Sequence, residues 1–223
     1  MLKREYGLTI GQTRVRRLLK QMNLPKIATK KMPTLYKKSN DENCLNLLKR
    51  QFNVAAPNLV WVSDITYLKV ASKWFYLCVI IDLFSRKVIA WKLSTKIDTQ
   101  LVIDTFNKAY TKRGCPKGLM FHSDRGSQYT SLDFRALLER LEVVQSFSGK
   151  GNPYDNAVAE SFFKFLKAEE INRRIFHTFA QLQLALFEYI ESYYNSKRPH
   201  STLNFLSPVE FENNYFLISC PLS

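Results

Sequence analysis

The chain lacks the features of a secreted, membrane-spanning or zinc-binding protein. It has four cysteines, none in a Cys-x-x-Cys pair, and three histidines that are not spaced to complete a zinc site. Free thiols in a reducing compartment are therefore expected. The N-terminus is charged and lacks the apolar run of a signal peptide, and the longest apolar stretches, such as LCVII at 77–81, are too short to span a bilayer. These absences predict a cytoplasmic protein with no membrane partner.

Acidic residues are also scarce, since 19 Asp and Glu stand against 33 Lys and Arg and the net charge is +14. A charge of this size is typical of a protein that binds a nucleic acid or another polyanion, although a merely soluble basic protein would carry it too. Residues 1–50 hold 13 basic and three acidic residues, which leaves 20 and 16 for the remainder. The basic character is concentrated in an N-terminal arm.

Apolar residues at helical spacing predict a helix over 9–24, opened by a capping box of Thr9 and Gln12 and ended by Pro25. Basic side chains occupy its other faces, as in a DNA-contacting helix or a solvated basic helix. Further lysines after the helix favour DNA. The apolar stripe is Val15, Leu18, Leu19 and Met22, and the candidate DNA-binding residues are Arg14, Arg16, Arg17 and Lys20.

The remaining pattern predicts a mixed α/β domain. The segment before it is polar, with one short apolar-spaced stretch at 44–52 that would allow a helix. Three strands with short polar breaks indicate two hairpins and hence antiparallel pairing, and strands alternating with helices follow. This order favours an RNase H-like mixed five-stranded sheet flanked by helices over a purely parallel one. The expected strands are 59–70, 74–82, 87–94, 118–123 and 143–147; the expected helices are 98–113, 130–141, one from Asn152 and Pro153, and one from Thr178.

Three acidic residues stand out because each lies where a carboxylate is costly unless something binds it. Asp64 lies inside a strand that is apolar on both faces, although a strand-end Asp held by backbone hydrogen bonds is the alternative. Asp124 follows the fourth strand, where α/β sheets bind ligands, but Asp also favours turns there. Glu160, 35 intervening residues later, lies on a helix face shared with Lys164 and Lys167, where an ordinary Glu160–Lys164 salt bridge would explain it.

Taken together, the three carboxylates predict a divalent-metal site. Hard cations such as Mg²⁺ take oxygen ligands and leave positions open for phosphate. Two Mg²⁺ ions are expected, with Mn²⁺ as a substitute. The rival acids have simpler interpretations: Asp82 as a turn residue, Asp104 and Asp133 on polar helix faces, and Asp155 in the first turn of the helix that carries Glu160.

Four segments resemble the catalytic OrfB-type protein of insertion-sequence transposases, which share the retroviral-integrase core. The resemblance covers about 55–213, and 1–38 more loosely. It implies that Asp64, Asp124 and Glu160 are the catalytic and metal-binding triad, and that Lys167, with Lys164 beside it, contacts terminal DNA. The segments are WVSDITY (61–67), FHSDRGSQY (121–129), SGKGNPYDNAVAESFFKFLK (148–167) and YNSKRPHSTLNFLSPVEF (194–211).

The resemblance also predicts how the chain is divided. Family members carry a complete helix-turn-helix before the core. Here the expected recognition helix, at 9–24, begins almost at once, so a truncated start or fusion to an upstream reading-frame product is expected. The predicted units are a partial helix-turn-helix-like basic segment at 1–38, a linker at 39–56, the catalytic core with a C-terminal helix at 57–213, and a tail at 214–223.

The leading hypothesis is a DDE transposase that cleaves and joins DNA as a homo-oligomer on transposon ends and target. An RNase H-like nuclease shares the metal chemistry but would not join a pre-cleaved end to target DNA. A non-catalytic DNA-binding product of the element is the third possibility, and it would show no metal-dependent cleavage. Arg198 and His200 are expected to be DNA or scaffold residues.

Overall fold

A five-stranded mixed sheet forms the centre of the molecule in a computed structural model that describes Gly7, residues 10–22, 44–149 and 153–219. The strand order is β3-β2-β1-β4-β5. β1 pairs with β2, and β2 with β3, in antiparallel hairpins, while β1 with β4 and β4 with β5 are parallel. The RNase H-like arrangement predicted from the hairpin pattern is confirmed. The strands are β1 Val60–Val70, β2 Lys73–Asp82, β3 Val88–Ser94, β4 Met120–Ser123 and β5 Val144–Phe147.

Two helices cross one face of the sheet and make the parallel pairings possible, because parallel strands need a crossover connection. Helix α2, Thr99–Lys112, begins where the Asp98 side chain accepts a hydrogen bond from the Leu101 N–H. Helix α3, Leu132–Arg140, is capped by Ser131 and not by the expected Thr130. The core on this face includes Trp61, Ile80, Phe106, Phe121 and Phe134.

The opposite face is covered by helices α4, Ala157–Glu169, and α5, Phe179–Phe187. Val60, Val62, Phe162, Leu166 and Leu186 belong to its core. β1 therefore faces an apolar layer on both sides, as its sequence predicts. One turn of 3₁₀-helix, Pro153–Asn156, precedes α4, so the first residue of the regular α-helix is Ala157 and not the expected Pro153.

Two apolar stripes differ from expectation. Helical spacing predicts a core stripe of Val158, Phe162, Phe165 and Leu166 in α4, but Phe165 is 37% exposed, and Phe163 is buried instead. After α5 the chain continues as a π-helix over Glu188–Tyr194. A π turn holds more residues than an α turn, so the stripe moves by one position and Tyr194, not Tyr193, is buried.

The stretch at 44–52, whose apolar spacing would allow a helix, is irregular and packs on the sheet through buried Cys44 and Leu48. At the other end, helix α6 runs over Pro208–Ser219 and continues past the predicted boundary at residue 213.

Helix α1, Gln12–Gln21, begins later than the sequence suggests, with Gly11 at the N-cap. Thr9 of the predicted capping box and Pro25 lie outside the described residues. Leu18, Leu19 and Met22 are exposed. Across the described ranges, no helix is both long and apolar enough to cross a bilayer.

A buried ionic cluster fastens α6 to the sheet. Glu212, which is 1% exposed, binds Lys87 at 2.6 Å and Arg113 at 2.7 Å. Arg113 also lies 3.8 Å from Asp82, whose carboxylate accepts hydrogen bonds from the Asn58 and Phe84 N–H groups. Asp82 is thus a structural turn residue, as its position at a strand end predicts.

Replacing Glu212 should destabilise the fold strongly, because Lys87 and Arg113 would lose their buried counter-ion. We expect Glu212→Gln to lower the free energy of unfolding by about 3 kcal/mol in urea denaturation. The matched control is Glu139→Gln at an exposed position of α3, which should change stability by less than about 0.5 kcal/mol. Equal effects of the two substitutions would contradict the role given to the cluster.

Candidate active site

Asp64 lies in the middle of β1, opposite Val79 of β2. Its side chain points to the α4 face of the sheet, since Val60 and Val62 at the same alternation belong to that core. The carboxylate is partly buried, and its Oδ1 accepts a 2.8 Å hydrogen bond from the Ile65 N–H. One oxygen is held in place, which orients the other lone pairs of the group.

Asp124 follows β4 directly, at the carboxyl ends of the parallel strands β4 and β5. Its Oδ1 accepts a 3.0 Å hydrogen bond from the Gly126 N–H. A Cβ at Gly126 would lie 3.0 Å from that same oxygen and 3.2 Å from Gln128 Oε1. The absence of a side chain at Gly126 therefore lets the turn close on the carboxylate.

Glu160 lies in the first turn of α4 with an exposed side chain. The buried residues of this helix include Ala159, Phe162 and Leu166, which pack on the sheet. Glu160 therefore projects away from the core at the end of the helix nearest the loop after β5.

The negative charges of Asp124 and Glu160 both act on Asp64. The pKa of Asp64 is raised well above its ordinary value, first by burial, then by the negative charge of Asp124, and to a smaller extent by that of Glu160. Burial also raises the pKa of Asp124, which the Gly126 hydrogen bond opposes. The structure thus brings the three predicted acids into one region, with Asp64 at its centre.

Lys167, two turns along α4 from Glu160, lies close to the same region. Burial lowers its pKa, and the charge of Asp64 opposes that shift. Lys164 is exposed on the helix. Of the two lysines that the sequence assigns to DNA contact, Lys167 is the one that the structure places within electrostatic range of an acid.

Within residues 10–22, 44–149 and 153–219, no three His, Cys, Asp or Glu side chains form a group that could hold a metal ion. The carboxylates are within range of one another's charge but are not gathered as a ligand set. Their chemistry nevertheless suits a hard cation, because all three donors are oxygens and the charges of Asp124 and Glu160 both raise the pKa of Asp64.

Ser63 links the three acid-bearing segments through hydrogen bonds. It precedes Asp64, and its backbone oxygen accepts a 3.0 Å bond from Asn156 Nδ2 at the start of α4. Its Oγ lies 2.8 Å from the hydroxyl of Tyr129, which ends the turn after Asp124, and donates to the Val79 carbonyl. Ser63, Tyr129 and Asn156 each belong to one of the quoted motifs, but nothing in the sequence indicates that they contact one another.

The other candidates have structural partners. Asp104 pairs with Lys92, and Asp133 is exposed at the start of α3. Arg198 makes a bidentate ion pair with Glu169 and stacks on Phe165, with its guanidinium carbon 4.0 Å from the ring centre. His200 is buried against Tyr194. Arg198 and His200 are scaffold residues.

The four basic candidates of the N-terminal helix, Arg14, Arg16, Arg17 and Lys20, are all exposed on α1.

The Integrase core domain family matches the chain in two parts, at 54–153 and 160–216. The transposase for insertion sequence element IS904 of Lactococcus lactis is 42% identical over 204 residues, which are 90% of this chain and 81% of that protein. Transposase InsF for insertion sequence IS3A of Escherichia coli is 44% identical over 168 residues, 75% of this chain and 58% of InsF. The chain thus spans less than two thirds of InsF.

Solved structures share the fold at low sequence identity. The catalytic core domain of HTLV-2 integrase in complex with magnesium matches with a TM-score of 0.55 and 19% identity, over 70% of this chain and 97% of that one. A chain of the simian T-cell lymphotropic virus intasome matches with a TM-score of 0.56 and 20% identity, over 72% and 56%. The integrase-type sheet and the identity to the IS904 transposase together show that this chain belongs to the insertion-sequence transposases with an integrase core.

Proposed function

We propose that the chain is a DDE transposase that cleaves DNA at the ends of an insertion sequence and joins those ends to target DNA. The proposal rests on one observation above all: Asp64, Asp124 and Glu160 come from three separate segments, and the charges of Asp124 and Glu160 both raise the pKa of Asp64. Family membership supplies the substrate class, because the IS904 and IS3A proteins are named as transposases of insertion sequences.

The three carboxylates are proposed to hold Mg²⁺, with two ions expected and Mn²⁺ as a substitute. Their oxygen donors are those that Mg²⁺ prefers, and their mutual repulsion is what a divalent cation relieves. The HTLV-2 integrase core of the same fold was solved with magnesium. When bound, Mg²⁺ supplies Lewis-acid stabilisation of phosphoryl oxygens and activation of water.

The protein groups hold and orient the reactants. Asp64 and Asp124 each have one oxygen fixed by a backbone N–H, so the other lone pairs point in defined directions. Lys167, and Lys164 beside it, would neutralise phosphates of the terminal DNA. Water attacks a phosphodiester, and its P–O3′ bond breaks to leave a 3′-OH. That 3′-OH then attacks a phosphodiester of the target: a new P–O bond forms while the P–O3′ bond of the target breaks, and the target strand leaves with a free 3′-OH. This sequence of displacements needs no protein nucleophile.

The expected partners are double-stranded DNA and further copies of the chain. The exposed basic side chains of α1 suit the phosphate backbone of DNA. Joining two ends to one target requires that both be held together, so a homo-oligomer on DNA is proposed. The product of an upstream reading frame is a further proposed partner.

Neutralising any one of the three acids should abolish strand transfer. We expect Asp64→Asn, Asp124→Asn and Glu160→Gln each to lower the rate at least about a hundredfold, because several kcal/mol of transition-state stabilisation depend on the bound cations. The assay joins a pre-cleaved end to plasmid DNA, which a simple nuclease cannot do. Asp133→Asn, an exposed acid on α3, is the matched control. Wild-type joining by any triad variant that still binds DNA would remove that residue from the proposed site.

The burial of Asp64 and its repulsion by the neighbouring acids predict that Asp64→Asn stabilises the metal-free protein near pH 7. A raised pKa means that the folded state favours the protonated form of Asp64. The charge of Asp64 therefore lowers the folding stability of the wild type fully above the folded pKa, and not at all below the unfolded pKa of about 4. The gain should therefore vanish on acidification toward pH 4. Each unit of the shift corresponds to about 1.4 kcal/mol.

Urea unfolding in EDTA, at neutral pH and near pH 4, measures this difference, again with Asp133→Asn as the control. Adding Mg²⁺ should raise the stability of the wild type and have little effect on Asp64→Asn, because the cation binds the intact carboxylate set. A neutral-pH stability of Asp64→Asn at or below that of the wild type would contradict the repulsion.

A further inference from the structure

A short turn outside the integrase match carries two exposed cations in strained backbone. Lys49 and Arg50 have φ angles of 47° and 61°, although neither is glycine. The left-handed region costs about 1–2 kcal/mol per residue for L-amino acids with a side chain. The family match begins only at residue 54. Such strain persists only where the surroundings impose it, and it is concentrated at functional sites.

Hydrogen bonds to β5 and within the turn impose this conformation. Ser146 Oγ accepts from the N–H groups of Leu47 and Leu48 at 3.0 and 3.1 Å. Asn46 Oδ1 accepts from the Lys49 N–H at 2.9 Å. Buried Leu48 anchors the segment in the core that packs against α4. The turn is therefore a built feature and not a loose end of a linker.

The same segment is joined to the loops that carry the acids. Arg125, which follows Asp124, donates from Nη2 to the Cys44 carbonyl at 2.9 Å and from Nε to the Ser148 carbonyl at 3.0 Å. Asp155, five residues before Glu160, accepts from Asn46 Nδ2 at 2.9 Å and from the Gly149 N–H at 2.7 Å. The turn thus has fixed contacts to two of the three acid-bearing segments.

Arg50 is the residue of the turn whose charge is held in place. Its Nε donates to Asp155 Oδ1 at 2.6 Å, with the Arg50 side chain 50% exposed and that of Asp155 4% exposed. In the described part of the chain this is the hydrogen bond that the guanidinium makes, and the group has five N–H donors. The guanidinium carbon of Arg50 also lies 6.0 Å from the ring centre of Tyr154. A cation held by these contacts and still half exposed to solvent can bind a phosphate with little loss of side-chain freedom.

We propose that the Lys49–Arg50 turn binds a phosphate of the DNA duplex beside the acidic region, with Asp155 holding Arg50 in the binding orientation. This site rests on the proposed function, because DNA is its ligand. It would fix the register of the duplex relative to the helix of Glu160, since Arg50 is one hydrogen bond from the 3₁₀ turn that begins this helix.

Binding of a mixed-sequence DNA duplex in EDTA, measured by fluorescence anisotropy across a salt series, tests the site without metal or catalysis. Arg50→Gln should weaken binding several-fold at low salt and reduce the slope of log K against log salt by about one. Arg50→Lys keeps the charge and should keep the slope. Arg140→Gln is the matched control: it is an exposed arginine at the end of α3, near the start of β5, and Asp124 follows the opposite, carboxyl end of the parallel pair β4 and β5.

Lys49→Gln provides a second test if loss of the Asp155 partner unfolds Arg50→Gln. It removes an exposed charge from the same turn without touching the ion pair, and should also reduce the slope by about one. The site would be overturned if the slopes of log K against log salt for Arg50→Gln and Lys49→Gln equalled those of the wild type and Arg140→Gln. The transposase proposal would still stand. Failure of the wild type to bind DNA at all would overturn both.

Discussion

Repulsion of Asp64 by Asp124 and Glu160 is the unfavourable interaction that the surrounding structure has to offset. Burial of Asp64 makes its charge costly, and two neighbouring carboxylates add to the cost. A packed core and a hydrogen-bond network hold the acids in place despite this. β1 is apolar on both faces, so its position is set by two cores at once, and Asp64 has no freedom to move to solvent with its strand.

Ser63 joins this rigid strand to the other two acid-bearing segments through hydrogen bonds. Its backbone carbonyl accepts a hydrogen bond from Asn156, which precedes Glu160 in the chain, and its hydroxyl is hydrogen-bonded to that of Tyr129, which follows Asp124. Both partners are buried, and a buried hydrogen bond is expensive to leave unmade. Displacing either acid-bearing segment would thus break a buried polar contact, which is how a fold of ordinary stability can keep like charges near one another.

The sheet could be predicted from sequence because it depends on local patterns, and local motifs also indicated the three candidate acids. Alternating β-branched and aromatic residues mark β1 to β3, and the quoted motifs surround each acid. Features set by contacts between distant residues could not be predicted. The π turn at Glu188–Tyr194 shifts an apolar stripe that simple helical spacing assigns to Tyr193, and the stretch at 44–52 has helical spacing yet is held in a left-handed turn by Ser146, about a hundred residues away.

Asp155 shows why the type of residue at a position does not reveal its role. From sequence its charge matched the dipole of the helix that follows. In the structure it accepts bonds from Arg50, Asn46 and Gly149, and although burial alone would raise its pKa, the bonds from Arg50 and Gly149 hold the pKa below the ordinary value. These partners favour the charged form of Asp155. Two aspartates thus acquire opposite properties from their partners: donors of the protein favour the charged form of Asp155, whereas burial and two neighbouring carboxylates disfavour the charged form of Asp64, a cost that a bound cation would relieve.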